Sequence, residues 1–235
     1  MVIIPAHNEE CAIRRVIESV RVAVPGAEVL VIDDLSTDGT VTAVAGTGAT
    51  TLQLPIRLGL GGAVQAGYKL AFEAGYDYVV RVDGDGQHEP REIPKVLERL
   101  QSGGAEVVIG SRYLEPGAQY SSLPRRLGII FFRLLLWPIL GRTIYDPTSG
   151  FIGVNRRALA VLSRTFPLDY PEVELLVVLQ RRRFRFEEIP ARMHPRTTGY
   201  SKLDLSTSFT YMTHVLLGVF VNVLRFDGRV GRGYR

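Results

Sequence analysis

Cysteine is almost missing from this chain: Cys11 is the only one in 235 residues. No internal disulfide can form, and a reducing compartment is expected. A secretory leader is not expected either, because Met1-Val2-Ile3-Ile4-Pro5 runs straight into a strand-like segment, with no charged stretch followed by a long apolar one. Internal repeats and low-complexity linkers are absent. Leu127–Leu140 is shorter than the roughly 20 apolar residues a membrane-crossing helix needs, and Phe209–Phe226 is borderline. Three nucleotide or cation signatures are also missing. No Gly-Lys-Ser/Thr follows the glycines of Leu58–Ala63, their spacing is not the dinucleotide fingerprint, and no terminal glutamate completes a calcium loop after Asp85.

What is present suits a packed protein. Hydrophobic residues make up 46% and charged residues 22%, enough to bury a core and to exclude wholesale disorder. The net charge of +4 points to an anionic partner without choosing among nucleic acid, acidic lipid and a phosphorylated substrate. Arg181, Arg182, Arg183 and Arg185 form one basic cluster, and Arg225, Arg229, Arg232 and Arg235 mark the tail.

Strand and helix signals alternate through the first half. Strands are expected at Val2–Pro5, Glu28–Ile32, Thr51–Leu54, Tyr78–Val82 and Glu106–Ile109. Helices are expected over Glu10–Val22 (with Asn8 as N-cap), Gly61–Ala74 and Glu92–Leu100. Such alternation predicts an α/β fold with a mostly parallel sheet flanked by helices. Ligands of such sheets sit beyond the carboxyl ends of the strands. The acidic clusters Asp33-Asp34 and Asp83–His88 fall there.

The second half changes character. Leu127–Leu140 is almost wholly apolar, interrupted by Arg133 and Pro138. In Phe209–Phe226, Tyr211, His214, Gly218, Asn222 and Arg225 recur three or four residues apart, a narrow polar stripe on an apolar helix. Such a helix packs into a core, lies in a membrane interface or spans the bilayer; interfacial attachment is favoured because the arginine tail is drawn to an anionic leaflet by about 1 kcal/mol per basic residue. The expected division is one domain over 1–203 and an amphipathic interfacial helix with a basic tail over 204–235.

Asp83-Gly84-Asp85 is the sharpest chemical feature. Two carboxylates one residue apart at a strand end can share a hard divalent cation, and Mg²⁺ and Mn²⁺ favour oxygen ligands completed by substrate phosphates. Gln87 and His88 stand close enough in sequence to add a ligand. The glycines of Leu58–Ala63 open a helix whose start permits close approach of an anion, or tight packing on the sheet.

Pro5-Ala6-His7-Asn8-Glu9, Val31-Ile32-Asp33-Asp34 with Ser36–Thr40, Leu58–Ala63, Asp83–His88 and Gly110-Ser111-Arg112-Tyr113 occur in the order found in family-2 glycosyltransferases of GT-A fold. Asp146–Phe151 and Gly199–Leu203 are similar to the dolichyl- and polyprenyl-phosphate mannose (hexose) synthase branch. The resemblance covers nearly the whole chain. It implies that Pro5, Ala6, Glu9, Asp33, Asp34 and Gly61 surround a nucleotide-sugar. It implies that Asp83, Asp85 and Gln87 hold Mg²⁺ or Mn²⁺ against the diphosphate, and that Arg196 and Lys202 close over the phosphates. Ser111, Arg112, Arg125 and Arg126 would meet an acceptor phosphate, for which a planar guanidinium fork is suited.

The expected reaction is inverting transfer of a hexose from a nucleoside-diphosphate sugar to a polyprenyl phosphate, with Asp85, Arg112 and Glu174 in catalytic roles. The enzyme is expected in the cytoplasm, peripheral at the inner face of the cell membrane, with no nucleic acid partner. The lipid would be reached through the two amphipathic segments or a membrane partner protein. Two alternatives stay open: a hydroxyl acceptor with Glu172 or Glu174 as base, and a non-catalytic basic module that binds membrane or nucleic acid. The chain lacks Gln-x-x-Arg-Trp, which disfavours a processive polysaccharide synthase, and Leu35 and Thr37 stand where related enzymes often carry glycine or proline.

Overall fold

The computed structural model describes residues 1–114 and 123–194. The expected alternation is there. Strands β1 (Val2–Ala6), β2 (Val29–Asp33), β3 (Thr50–Gln53), β4 (Tyr78–Arg81), β5 (Val107–Ser111), β6 (Ile152–Asn155) and β7 (Phe186–Pro190) form one seven-stranded sheet in the order β3-β2-β1-β4-β6-β5-β7. Only β6 runs against the rest: it is antiparallel to both β4 and β5, whereas β1, β2, β3 and β4 pair parallel, as do β5 and β7. The sheet is therefore mixed but mostly parallel.

Helices α1 (Ile13–Ala23), α2 (Thr40–Val44), α3 (Gly59–Glu73), α4 (Ile93–Gln101), α5 (Leu123–Leu140), α6 (Arg156–Leu162) and α7 (Pro171–Arg181) cover both faces. The period of two along a strand explains how. In β1, Ile3 joins the core beneath α3 and α7, while Val2 and Ile4 join the core beneath α1 and α4. β1 and β2 are buried along their whole length, so they read as continuous apolar runs, as a sheet covered on both faces requires.

One boundary differs from expectation. Asn8 does not cap α1, which starts only at Ile13 with Ala12 before it. Asn8 sits in the left-handed region at φ 58°, and its side-chain oxygen accepts from the Thr37 amide at 2.8 Å. Its own amide donates to Ser36 Oγ at 3.0 Å. The residue therefore ties the β1 end to the β2 end, and a side chain so engaged cannot serve a helix start.

Helix α5 has two faces. Ile129, Phe132, Leu136 and Leu140 are buried, but Leu127, Ile130, Leu134 and Trp137 stand exposed, Leu134 at 70%. Those four recur three or four residues apart, a second stripe parallel to the buried one. Among the described residues no helix is long and apolar enough to cross a membrane. The segment 204–235, and Arg196 and Lys202 before it, lie outside the described residues.

Candidate active site

The carboxyl ends of β1, β2 and β4 and the start of α3 surround a cleft of about 260 Å³. Pro5, Ala6, His7 and Glu9 come from the end of β1, Asp34 from β2, Arg57, Gly59, Leu60 and Ala63 from α3 and the loop before it, and Asp83, Gly84 and Asp85 from the end of β4. Six residues expected around a nucleotide-sugar or metal meet in it: Pro5, Ala6, Glu9, Asp34, Asp83 and Asp85. A depression of about 310 Å³ lined by Lys95, Glu98, Arg99, Ser102, Ile189 and Pro190 offers no carboxylate pair.

Asp34 is buried, and its two oxygens accept the amides of Leu58 at 2.6 Å and Gly59 at 2.9 Å. The first amides of α3 lack partners within the helix, so a carboxylate fixed there satisfies them and complements the helix dipole. The anion at this helix start is thus the protein's own. Asp33, also buried, accepts the Ser36 amide and does not line the cleft. Gly61 packs against backbone, since a Cβ there would lie 2.4 Å from the carbonyl oxygens of Pro167 and Leu168.

The second acidic loop is held by side chains. Arg81 Nε donates to Asp83 Oδ1 at 3.0 Å, and Arg81 Nη2 donates to Glu172 Oε1 at 2.9 Å. Gln87 donates its side-chain amide to Asp85 Oδ2 at 2.5 Å and its backbone amide to Oδ1 at 3.0 Å. In this arrangement Gln87 orients Asp85. The Asp83 amide donates to His88 Nδ1 at 3.0 Å, which puts the ring proton of neutral His88 on Nε2, 3.7 Å from Asp83 Oδ2. Burial depresses the His88 pKa, against the pull of Asp83. Burial also pushes the Asp83 carboxyl up, but Arg81 and then His88 more than offset it and hold the group below the usual carboxylate range.

Two of the expected acceptor-phosphate residues, Ser111 and Arg112, sit at the end of β5. Arg112 Nε and Nη2 form a bidentate pair with Asp146, each at 2.7 Å, and Nη2 also reaches Thr148 Oγ1 at 3.0 Å. Ser111 is fully buried near Glu188, whose carboxylate accepts the amides of Tyr145 and Asp146 at 2.7 Å. Arg125 and Arg126 open α5, with Arg126 exposed. Glu174, expected in a catalytic role and as the base for a hydroxyl acceptor, is buried and accepts the Tyr170 amide at 3.3 Å, at the start of its own helix.

Sequence reasoning passed over Arg57, which lines the cleft, and Arg81, which is 1% exposed. Arg81 had a signal: an arginine within the apolar run Tyr78-Val79-Val80-Arg81-Val82 must find partners when the strand is buried. Among the described residues no three His, Cys, Asp or Glu side chains converge on a metal position. Asp83 and Asp85 alone fit a hard cation whose remaining ligands come from substrate oxygens and water.

A family model described as Glycosyl transferase family 2 matches residues 1–162. The chain belongs to that family. Among its relatives, the undecaprenyl-phosphate mannosyltransferase of Micrococcus luteus is 33% identical over 218 residues, covering 87% of each chain. The polyprenol monophosphomannose synthase of Mycolicibacterium smegmatis is 31% identical over 225 residues, 87% of this chain and 80% of that one. Glucosyl-3-phosphoglycerate synthase from Mycobacterium tuberculosis, solved with Mn²⁺, UDP-glucose and phosphoglyceric acid, aligns with a TM-score of 0.70 at 25% identity, covering 98% of this chain and 81% of that one. This family-2 enzyme is a hexosyltransferase of GT-A fold, which sets aside the non-catalytic alternative.

Proposed function

We propose that the enzyme transfers a hexose from a nucleoside-diphosphate sugar to a polyprenyl phosphate, of dolichyl or undecaprenyl type, with inversion at the anomeric carbon. Asp83 and Asp85 hold Mg²⁺ or Mn²⁺ against the donor diphosphate; the bound cation supplies charge neutralisation to the leaving group. The relatives named for undecaprenyl-phosphate and polyprenol mannosyl transfer support the acceptor class. The synthase structure with Mn²⁺ and UDP-glucose supports the donor and cation.

The observation that carries the lipid reading is the exposed stripe Leu127, Ile130, Leu134 and Trp137 on α5. An apolar helix face left exposed among the described residues suits the boundary between headgroups and acyl chains, and tryptophan favours that depth. Arg126 stands at the start of the same helix, and Arg112 directly follows β5, the strand before it, so an acceptor phosphate presented along α5 would meet basic side chains. Arg125 and Ser111 belong to the same reading, as do Arg196 and Lys202 over the donor phosphates. Attachment is peripheral, at the inner face of the cell membrane, where an anionic leaflet attracts the basic tail. A membrane partner protein is an additional route to the lipid.

A phosphate acceptor is already anionic near pH 7 and needs little general base. The hydroxyl alternative requires Glu172 or Glu174, and both have other work: Glu172 pairs with Arg81 and Glu174 holds the start of α7. The test is incubation with a panel of nucleotide-sugars, Mn²⁺ or Mg²⁺, and either a short polyprenyl phosphate or hydroxyl acceptors. Glycolipid formation is expected from one donor. Transfer to hydroxyls alone would sink the proposal. On anionic vesicles, Leu134→Glu with Trp137→Glu should weaken flotation of the protein by about tenfold or more, given the burial lost.

A further inference from the structure

Arg81 ends β4 at 1% exposure, and a guanidinium taken out of water is tolerated only when its charge and donors are met. Two carboxylates from different parts of the chain meet it: Asp83 Oδ1 at 3.0 Å, two residues on, and Glu172 Oε1 at 2.9 Å, in the first turn of α7. The backbone of the Asp146–Phe151 segment roofs the group. A Cβ on Gly150 would lie 2.7 Å from both Arg81 Nη2 and Asp83 Oδ2, so any larger residue there would displace the pair. The guanidinium is therefore enclosed, and its charge is felt in a medium less polar than water.

We infer that Arg81 and Glu172 are positioning residues for the cation at Asp83 and Asp85. Arg81 fixes the Oδ1 edge of Asp83, and Glu172 restores the negative charge that Arg81 alone would cancel beneath the cation. With Glu172, the three side chains sum to one negative charge; without it, to none, and Asp85 alone would attract a divalent ion. The inference rests on the metal and diphosphate reading above.

The sign of the effect separates this role from a merely structural one. Removing the Glu172 charge should weaken cation binding but leave metal-free diphosphate binding unchanged or stronger, because the diphosphate is itself an anion. The experiment titrates Mn²⁺, followed by electron paramagnetic resonance, into wild type, Glu172→Gln, Glu172→Asp and Arg81→Lys, each saturated with UDP or GDP, whichever wild type binds tighter. Calorimetry then measures binding of the same nucleotide without metal.

Glu172→Gln should weaken Mn²⁺ about tenfold, the scale on which outer partners of metal ligands act, and Glu172→Asp should recover most of it. Arg81→Lys keeps the charge but loses the fork, so it should weaken Mn²⁺ severalfold; it carries the test if Glu172→Gln fails to fold. Equal Mn²⁺ affinity in wild type and the folded variants overturns the inference alone, as does parallel loss of Mn²⁺ and metal-free nucleotide binding. A wild type that binds no Mn²⁺ beside either nucleotide overturns the inference and the functional reading together.

Discussion

Asp33-Asp34 and Asp83–Asp85 look alike on paper: each is an acidic pair at the carboxyl end of a parallel strand, on the two strands that flank β1. Their surroundings separate them. Asp33 and Asp34 are both 4% exposed and their oxygens accept backbone amides, of Ser36 for the first and of Leu58 and Gly59 for the second. Asp83, 30% exposed at its side chain, is held by the side chain of Arg81, Asp85 by the side chain as well as the backbone amide of Gln87, and both line the cleft. Carboxylates bound to backbone are committed to the fold. Carboxylates that also open onto the cleft stand within reach of a ligand there.

The largest expected effect follows from that difference. Asp85→Ala should lower kcat/KM about a thousandfold, roughly 4 kcal/mol of transition-state stabilisation, while the melting temperature moves by no more than about 2 °C. Steady-state assay beside thermal denaturation checks both halves. Asp34→Ala should act in the opposite sense, as a stability variant first. Two buried amides at the start of α3 lose a charged acceptor, which costs about 3 kcal/mol and lowers the melting temperature by about 6–12 °C in a chain of this size. Calorimetric unfolding decides it. An Asp34→Ala protein that melts like wild type would erase the contrast between the two loops.

Much of this was legible in the sequence, because parallel strands buried on both faces read as apolar runs and their ends are marked by acids. β1, β2, β4 and β5 were placed to within a residue or two of their observed bounds. β6 and β7 were not anticipated. Ile152-Gly153-Val154-Asn155 is short and contains a glycine, and its strand character comes from being inserted between β4 and β5. Within the site, residue identity was readable but partnership was not. Arg112 was expected to face a phosphate, yet its bidentate partner Asp146 is 34 residues away in sequence. Only the fold brings those two together, and the same holds for Arg81 and Glu172, separated by 91.

Leu35 sharpens the comparison at smaller scale. It follows Asp34 in the left-handed region at φ 58° and is 46% exposed, so an apolar side chain stands where glycine carries less strain. Relieving roughly 1–2 kcal/mol of conformational strain against the extra backbone entropy glycine loses on folding, about 0.5–1 kcal/mol, leaves a net gain of about 0.5 kcal/mol for Leu35→Gly. Denaturant titration should show a small upward shift of the midpoint with an unchanged slope. A loss of stability would mean that the Leu35 side chain contributes packing that outweighs its strained backbone.

The smallest effect is expected at Tyr68, which lies under the second loop. The ring is fully buried and meets Phe166 edge-on at 5.4 Å, but its hydroxyl has no hydrogen-bond partner among the described residues. Burial, the leading influence, raises the phenol's pKa far above its ordinary value, with Arg81 opposing and Glu172 reinforcing. The hydroxyl is therefore neutral at any working pH. Deleting a buried polar group that makes no bond removes a desolvation cost and no interaction, so Tyr68→Phe should be neutral to stabilising by up to about 1 kcal/mol. A destabilisation of more than about 1 kcal/mol in chemical unfolding would show that the hydroxyl bonds a buried water shared with Arg81 Nη1, the other unpaired polar atom of this cluster. In that case the polar support of the Asp83 loop would extend from Arg81 and Glu172 to α3, beneath the same cleft.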